Sequence, residues 1–272
     1  KTGFIFDMRD FWIDEKIDDG SWNMKNPFYK IIYRHYRKLE QRFFEEADAV
    51  ICLTNAARQD IIARKHLNVE QEKVFVIPCC ADLDLFKPSS LKFPPEPLLC
   101  YLGSVGNGKR YLINEMLEFY KTARAKIPGL KFLILSQDNP DNIRQFVIKA
   151  GLDSVNVQIM SAKRTDMPFV LGKVTYGLFF YKPTFARKST SPVKLAEMLG
   201  MGIPVICNKG VGDVDEILSF LSTGAIITSF DKEEYKKAVE ILESKEFDKM
   251  KIKSMAEKHF SLDNGVIKYK LI

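Results

Sequence analysis

The chain has 272 residues, of which 46% are hydrophobic and 28% charged, a composition typical of globular proteins with an apolar core. This length allows two domains of roughly 100–150 residues each. No apolar run approaches the roughly 20 residues that a membrane-crossing helix needs. The five cysteines and three histidines lack metal-ligand spacing, which argues against a zinc site. We expect the cysteines to be small buried residues in a reducing cytoplasm.

Residues 1–86 are predicted to form an incomplete domain. Three strands are expected there, over residues 3–8, 49–53 and 73–78. Apolar residues at three-to-four spacing predict two helices, over residues 27–47 and from residue 54 to about residue 66. A complete open sheet of the nucleotide-binding type would need more strands, and the chain begins at Lys1 rather than at Met. We therefore expect further residues before Lys1 in the natural protein.

The segment from Lys25 to Arg42 carries six basic residues and one acid, Glu40. Its apolar residues predict a buried stripe on an amphipathic helix, formed by Phe28, Ile32, Tyr36, Leu39 and Phe43. The basic residues fall largely off this stripe. Two interpretations remain open, a solvated helix face or peripheral contact with anionic lipids or a lipid-diphosphate acceptor at the inner face of the membrane. The patch is short and has no recognised binding motif, so no nucleic acid partner is expected.

The rest of the chain alternates strands and helices after a proline-rich segment. Residues 87–97 contain four prolines and no apolar periodicity, which predicts a domain linker. Strands are then predicted near residues 98–103, 131–136, 156–160, 176–181, 204–207 and 225–228. Helices between them predict a parallel sheet covered on both faces, and hence a second domain over residues 98–245. Residues 246–272 are predicted as a helix and tail that pack back on the first domain.

The most informative segment runs from Ser189 to Asn208. Pro192 can open a helix there without losing a hydrogen bond, and the Ser191 hydroxyl before it can cap free amides. A helix that starts at the carboxyl end of a strand offers amides and a positive dipole end to an anion. Glu197, about a turn and a half further on, can accept hydrogen bonds from ribose hydroxyls. Together these features predict a nucleotide site.

This segment resembles the donor-binding element of group 1 glycosyltransferases, which are retaining enzymes with the GT-B fold. Their signature has a second glutamate eight positions after the first, followed by Gly-x-Pro-Val; Glu197 matches the second, and Ser189 replaces the first. Residues 47–54 and 76–86 resemble the end of the first domain of these enzymes. The resemblance implies an α/β, GT-B-like fold with two Rossmann-like domains and parallel sheets, the first incomplete. The Ser-Pro-x-Lys-Leu-x-Glu variant is similar to enzymes of bacterial polysaccharide biosynthesis.

The resemblance also implies which residues bind the donor. They are Gly103, Ser104, Lys109, Arg110, Ser191, Val193, Lys194, Glu197 and Asp213. Lys109 or Arg110 corresponds to a lysine that clamps the diphosphate in similar enzymes, and Ser104 replaces an arginine with the same task. Two interpretations of Asp213 remain open, sugar binding and capping of the helix that follows it.

Catalytic roles are implied for Ser189, at the position of the sugar-contacting glutamate, and for Asp7, which ends a strand facing the expected cleft. A turn-capping role for the segment Asp7-Met-Arg-Asp10 remains open beside the catalytic one. No metal site is expected, because the Asp82-Leu-Asp84 pair precedes the linker and more naturally caps a turn.

The implied reaction moves a sugar from a nucleoside-diphosphate sugar to a saccharide or lipid-linked acceptor, with retention of configuration. Cations and helix-start amides would stabilise the leaving diphosphate, so no cofactor or metal is expected. We expect a cytoplasmic protein, and one that transfers poorly if its first domain is incomplete. Two alternatives stay open: a nucleotide-sugar epimerase on the same scaffold, and a non-catalytic binding protein, which Ser104 and Ser189 favour.

Overall fold

The computed structural model describes residues 3–88, 96–108, 110–221 and 223–272. In these residues the strands form two sheets, and every strand pair is parallel. The first sheet has the order β1–β2–β3, with β1 at Ile5–Asp7, β2 at Ala49–Cys52 and β3 at Val74–Val76. The predicted α/β class with two parallel sheets is therefore confirmed.

The second sheet has six strands among the described residues. They are β4 (Leu98–Leu102), β5 (Lys131–Leu135), β6 (Val157–Met160), β7 (Tyr176–Phe179), β8 (Val205–Asn208) and β9 (Gly224–Ile227). Their order across the sheet is β6–β5–β4–β7–β8–β9, so β4 and β7 mark the point where the strand order reverses. Ligands of open parallel sheets bind at the carboxyl ends of strands beside such a point.

Helices supply the crossovers that parallel strands require. They are α4 (Ile113–Arg124), α5 (Pro140–Lys149), α6 (Met167–Leu171), α7 (Val193–Gly200), α8 (Val214–Leu221) and α9 (Lys232–Ser244). The helix that follows β4 begins only at Ile113. The preceding residues are held in an extended pairing, because Tyr111 bridges Tyr181 and the Leu112 amide donates to the Phe180 carbonyl.

Three helices accompany the first sheet: α1 (Trp12–Asp18), α2 (Pro27–Glu46) and α3 (Asn55–Ala63). The prediction that α2 buries its apolar stripe is wrong. Phe28 is 63% exposed and Tyr36 is 37% exposed, and Phe44, which lies outside the predicted stripe, is the buried residue of this helix. A three-stranded sheet is too narrow to cover a helix of this length, so only its C-terminal end reaches the core.

Two C-terminal helices connect the two parts of the molecule. α10 (Lys249–Phe260) packs on α7 of the second sheet. α11 (Leu262–Leu271), where the sequence predicts only a tail, lies against the first sheet, and its Lys268 ammonium donates to the Val76 carbonyl. Residues 89–95 of the predicted linker lie outside the described residues, and the domain boundaries stay a prediction. None of the described helices combines the length and apolarity that a bilayer crossing needs.

Candidate active site

The N-terminus of α7 lies between the two sheets. Its N-cap residue is Pro192, whose side chain gives no capping hydrogen bond. The prediction that Ser191 caps this helix is wrong, because the Ser191 hydroxyl accepts from the Cys79 amide of the first domain at 3.1 Å. The first amides of a helix have no partner within it, so those of Val193 and Lys194 remain suited to an external anion.

Lys194 projects its ammonium group into a cluster of aromatic rings. The Nζ atom lies 4.4 Å from the ring centre of Tyr101 and 4.3 Å from that of Tyr111, and 3.3 Å from the Tyr101 hydroxyl. Loss of hydration in this enclosure lowers the pKa of Lys194 to about 7. Gly103 leaves the space that Nζ occupies, because a Cβ there would lie 2.7 Å from it. The structure thus brings two predicted donor-binding residues into contact.

Glu197 lies on the next turn of α7 and forms an ion pair with Arg164 at 2.9 Å. The carboxylate side chain is 9% exposed, whereas the Arg164 side chain is 60% exposed. Burial raises the pKa of Glu197, and the Arg164 guanidinium opposes this rise. Glu197, which the resemblance assigns to the ribose, is therefore engaged by an arginine in this structure. Sequence reasoning missed Arg164, because a single arginine between a strand and a helix carries no motif.

A cavity of about 300 Å³ opens beside the start of α7, and we call it the basic cavity. It is lined by Arg9, Asp10, Glu15, Leu53, Arg110, Tyr111, Tyr181, Ala186, Arg187 and residues 190–194. Both domains contribute, the first through the loop after β1 and through α1. The Glu15 carboxylate accepts a hydrogen bond from Arg187 at 2.5 Å and forms an ion pair with Arg110 at 2.9 Å. One carboxylate of the first domain therefore joins two cations of the second.

The glycine loop after β4 is already occupied by a carboxylate of the protein. Asp138 accepts hydrogen bonds from the Val105 amide at 2.6 Å, from the Gly106 amide at 2.8 Å and from the Ser104 hydroxyl at 2.9 Å. These hydrogen bonds lower the pKa of Asp138, and the one from the Gly106 amide has the largest effect. Ser104 and these two amides are therefore engaged, and among the described residues of this loop Arg110 contributes a cation to the basic cavity. Lys109 lies outside the described residues.

Ser189 and Asp213 lie in the contact between the domains rather than at the basic cavity. Ser189 is 1% exposed, and its hydroxyl accepts from the Phe11 amide and donates to the Ala186 carbonyl, each at 2.8 Å. Asp213 accepts from the amides of Asn55 and Ala56 at the start of α3. Its side chain thus caps a helix of the other domain, an arrangement that the sequence did not indicate.

Asp7 also lies outside the residues found to line the basic cavity. It is exposed at the end of β1, accepts from the Tyr269 hydroxyl at 3.0 Å and lines a separate groove of about 380 Å³. Asp10, three residues later, lines both this groove and the basic cavity. Sequence reasoning missed Asp10, Glu15 and Arg187 as site residues, and only the Asp7-Met-Arg-Asp10 motif gave a signal for any of them. The functional roles assigned from the resemblance stay predictions.

A larger cavity of about 530 Å³ lies on the other side of residues 190–192, and we call it the apolar cavity. Its lining includes Leu53, Val76, Leu195, Ile217 and Met255, with Lys258 and Lys268 among its polar members. The two cavities share Leu53, Thr190, Ser191 and Pro192, so residues 190–192 lie between them. The Asp82-Leu-Asp84 pair lies elsewhere, and Asp82 accepts from the Leu85 amide, as expected of a turn cap.

Comparison with known proteins connects this geometry with enzymes that transfer sugars. Residues 18–85 match the family model described as Glycosyltransferase Family 4. Over 207 residues the chain is 24% identical to the "putative teichuronic acid biosynthesis glycosyltransferase TuaH" of Bacillus subtilis (strain 168). This match covers 74% of the chain and 49% of that protein, so the matched part is about half of the relative's length.

Solved structures show the same architecture. Anabaena HepE in complex with UDP-glucose matches with a TM-score of 0.68 at 13% identity, over 99% of this chain and 72% of that one. The pneumococcal O-GlcNAc transferase GtfA in complex with UDP and GlcNAc matches with a TM-score of 0.63 at 19% identity, over 87% of this chain and 46% of that one. The chain therefore has the GT-B fold predicted for it, and its sequence is similar to that of a bacterial glycosyltransferase.

Proposed function

We propose that this chain is the donor-binding part of a retaining glycosyltransferase. The enzyme would move a sugar from a nucleoside-diphosphate sugar to a saccharide or lipid-linked acceptor in bacterial surface-polysaccharide assembly. One observation carries the proposal: the uncapped start of α7, the Lys194 ammonium and the guanidiniums of Arg110 and Arg187 surround one cavity, with Glu197 one turn further along. This arrangement supports a nucleotide diphosphate with its phosphates at the helix start and its ribose towards Glu197, which lies beyond the residues found to line the cavity.

The charge of the basic cavity supports a diphosphate ligand. Its lining contains the cations Arg9, Arg110, Arg187 and Lys194 and the carboxylates Asp10 and Glu15, an excess of two positive charges when Lys194 is protonated. A nucleoside-diphosphate sugar carries about two negative charges on its phosphates, so the two balance. The same cations and the α7 dipole would stabilise charge that develops on the leaving diphosphate. We propose that these groups act without a metal ion or cofactor.

The related proteins support a nucleoside-diphosphate sugar as the donor and a bacterial surface polysaccharide as the product. HepE and GtfA were each crystallised with UDP or a UDP-sugar, and TuaH is named for teichuronic acid biosynthesis. The family model and the two named transferases favour sugar transfer over epimerisation. For the acceptor, the apolar cavity next to Ser191 supports a molecule with an apolar part, such as a lipid-linked saccharide.

We also propose that the protein works in the cytoplasm at the inner face of the membrane, with no nucleic acid partner. The N-terminal half of α2 supports this membrane contact. It exposes Phe28 and Ile31, which are 63% and 65% accessible, beside the basic residues Lys30, Arg34 and Lys38. Exposed apolar and basic side chains on one helix are the pattern of a peripheral contact with anionic lipid.

Titration calorimetry with UDP, GDP and ADP tests the proposal, with and without EDTA. At least one nucleotide should bind equally well in both conditions. Lys194→Ala should weaken that binding about tenfold or more, since a charge-assisted contact is worth about 1.5–3 kcal/mol. Lys121→Ala is the control, because Lys121 pairs with Glu118 on α4 and is absent from the residues lining either cavity. Failure of all three nucleotides to bind, or equal effects of both variants, would contradict the proposal.

A further inference from the structure

The residue at the sugar-contacting position of the signature is buried in this structure and cannot contact a sugar. The signature has a glutamate there, and this chain has Ser189, which is 1% exposed. Its hydroxyl already accepts one hydrogen bond and donates another within the domain contact. If the chain binds a nucleotide sugar as proposed above, another polar group must contact the sugar hydroxyls.

The sugar of such a donor follows directly after the diphosphate, and so would lie in the basic cavity. At about 300 Å³ this cavity is at the lower end of the range for small-molecule sites, which suits one sugar ring beside its phosphates. Two carboxylates are found among its described lining residues, Asp10 and Glu15. Glu15 is held by the guanidiniums of Arg187 and Arg110.

Asp10 differs from Glu15 in its surroundings. No hydrogen bond joins its carboxylate to another described residue, although Arg9, Arg110 and Arg187 are close enough to act on it electrostatically. Burial and the charge of Glu15 raise the pKa of Asp10. A half-buried carboxylate that faces a cavity without a hydrogen-bond partner has acceptor capacity available for a ligand.

We infer that Asp10 binds the transferred sugar, accepting hydrogen bonds from its hydroxyls in place of the glutamate that residue 189 lacks. The first domain then supplies the carboxylate that similar enzymes place on the second. Asp10 lies three residues after β1, at the carboxyl edge of the first sheet, and lines the same cavity as the start of α7. The inference rests on the proposed function, because it takes the diphosphate site as given.

Calorimetry on the 272-residue chain with UDP and UDP-glucose separates sugar contact from charge effects. Asp10→Ala removes a negative charge next to the diphosphate, so UDP should bind equally well or more tightly. UDP-glucose should lose about tenfold in affinity relative to UDP, the scale of one charge-assisted hydrogen bond. Asp48→Ala is the matched control, since it removes an exposed carboxylate of the first domain that is absent from the residues lining either cavity, and should leave the ratio of the two dissociation constants unchanged.

The possible results distinguish a failure of the sugar-binding role of Asp10 from a failure of the proposed function. If Asp10→Ala changes the dissociation constants of UDP and UDP-glucose by the same factor, Asp10 does not bind the sugar, while the proposed function stands. If the wild-type chain binds none of UDP, GDP and ADP or their glucose conjugates, both fail together. A crystal structure of the wild-type complex gives an answer that needs no variant. A glucose hydroxyl within about 3.2 Å of the Asp10 carboxylate supports the inference, and a ring beyond its reach overturns it.

Discussion

The Asp213 carboxylate of the second domain accepts hydrogen bonds from the amides of Asn55 and Ala56, at 2.7 and 3.0 Å, at the first turn of α3 in the first domain. Thr54 already caps the third amide of this turn from within its own domain, through its bond from the Ala57 amide at 3.0 Å. The helix start is thus completed by a side chain from the other domain. Its dipole, which favours a negative charge at this end, therefore contributes to holding the two sheets together.

Asp213→Ala should lower the free energy of unfolding by about 1 kcal/mol, the usual cost of a lost helix cap. Hydrogen exchange should also speed up at residues 53–63, although the substitution lies in the other domain. Asp231→Ala is the control, because Asp231 caps the start of its own helix α9 through the amides of Glu233 and Glu234. It should cost a similar amount with faster exchange only near residue 231. Unchanged hydrogen exchange at residues 53–63 in Asp213→Ala would show that Asp213 does not cap α3.

Gly212 lies where a side chain would overlap both its own domain and the first domain. It has a φ of +52°, and a Cβ there would lie 2.1 Å from the Thr190 carbonyl oxygen and 2.8 Å from Thr54. Gly212→Ala should cost about 1 kcal/mol in backbone strain and a further 2 kcal/mol or so from this overlap. Gly210→Ala is a matched control, because Gly210 has a φ of +84° but open space around its Cβ. Urea denaturation of both variants should show the larger loss at position 212, and equal losses would refute the close contact.

Glu197→Ala should weaken nucleotide binding by about 1–3 kcal/mol if the carboxylate accepts a ribose hydroxyl. Arg164→Ala should strengthen nucleotide binding or leave it unchanged, because Arg164, the present partner of Glu197, would no longer compete with the ribose. Calorimetry with the nucleotide that binds best checks both. Weaker binding in Arg164→Ala would instead show that this arginine itself contacts the nucleotide. An unchanged affinity in Glu197→Ala would show that Glu197 does not contact the nucleotide.

The affinity for UDP-glucose should fall as the pH rises above about 7. The ammonium of Lys194, with its pKa lowered to about 7, loses its proton in that range in the free protein, whereas a bound diphosphate favours the protonated form. Binding therefore takes up protons, which calorimetry in buffers of different ionisation enthalpy detects. UDP-glucose is the appropriate probe, because its diphosphate has no terminal phosphate that titrates near neutral pH. Lys194→Met should abolish the proton uptake, and uptake that persists in this variant would assign it to another group.

The chain should sediment with vesicles that contain phosphatidylglycerol and not with vesicles of phosphatidylcholine alone. Each Lys or Arg near an anionic surface contributes about 1 kcal/mol, so reversing three charges on α2 should abolish the association. The test variant carries Lys30→Glu, Arg34→Glu and Lys38→Glu. A control with Lys232→Glu, Lys236→Glu and Lys237→Glu on α9 changes the net charge equally and should still sediment. Equal loss in both variants would show that net charge, and not α2, drives the association.

Much of the second domain could be predicted from the sequence because its signals are local. Apolar runs of four or five residues separated by helical segments predict the parallel sheet, and a proline before Val193 predicts where α7 begins. The pattern of α2 was equally clear, but its predicted burial was wrong. Periodicity shows which side of a helix is apolar, whereas burial depends on whether the sheet beside it is wide enough, and this sheet has three strands in the described residues.

The sequence by itself determined the fold class, and it predicted the segment from Ser189 to Asn208 as the ligand contact of an α/β sheet, because strand and helix periods and a helix start are encoded in neighbouring residues. Only the tertiary structure decided which charges share a cavity. Asp10 and Arg187 lie far apart in the chain and carry no common motif, yet both line the basic cavity. Ser189 is buried and Asp138 fills the glycine loop for the same reason, since hydrogen bonding and burial depend on groups that folding brings together from distant parts of the chain.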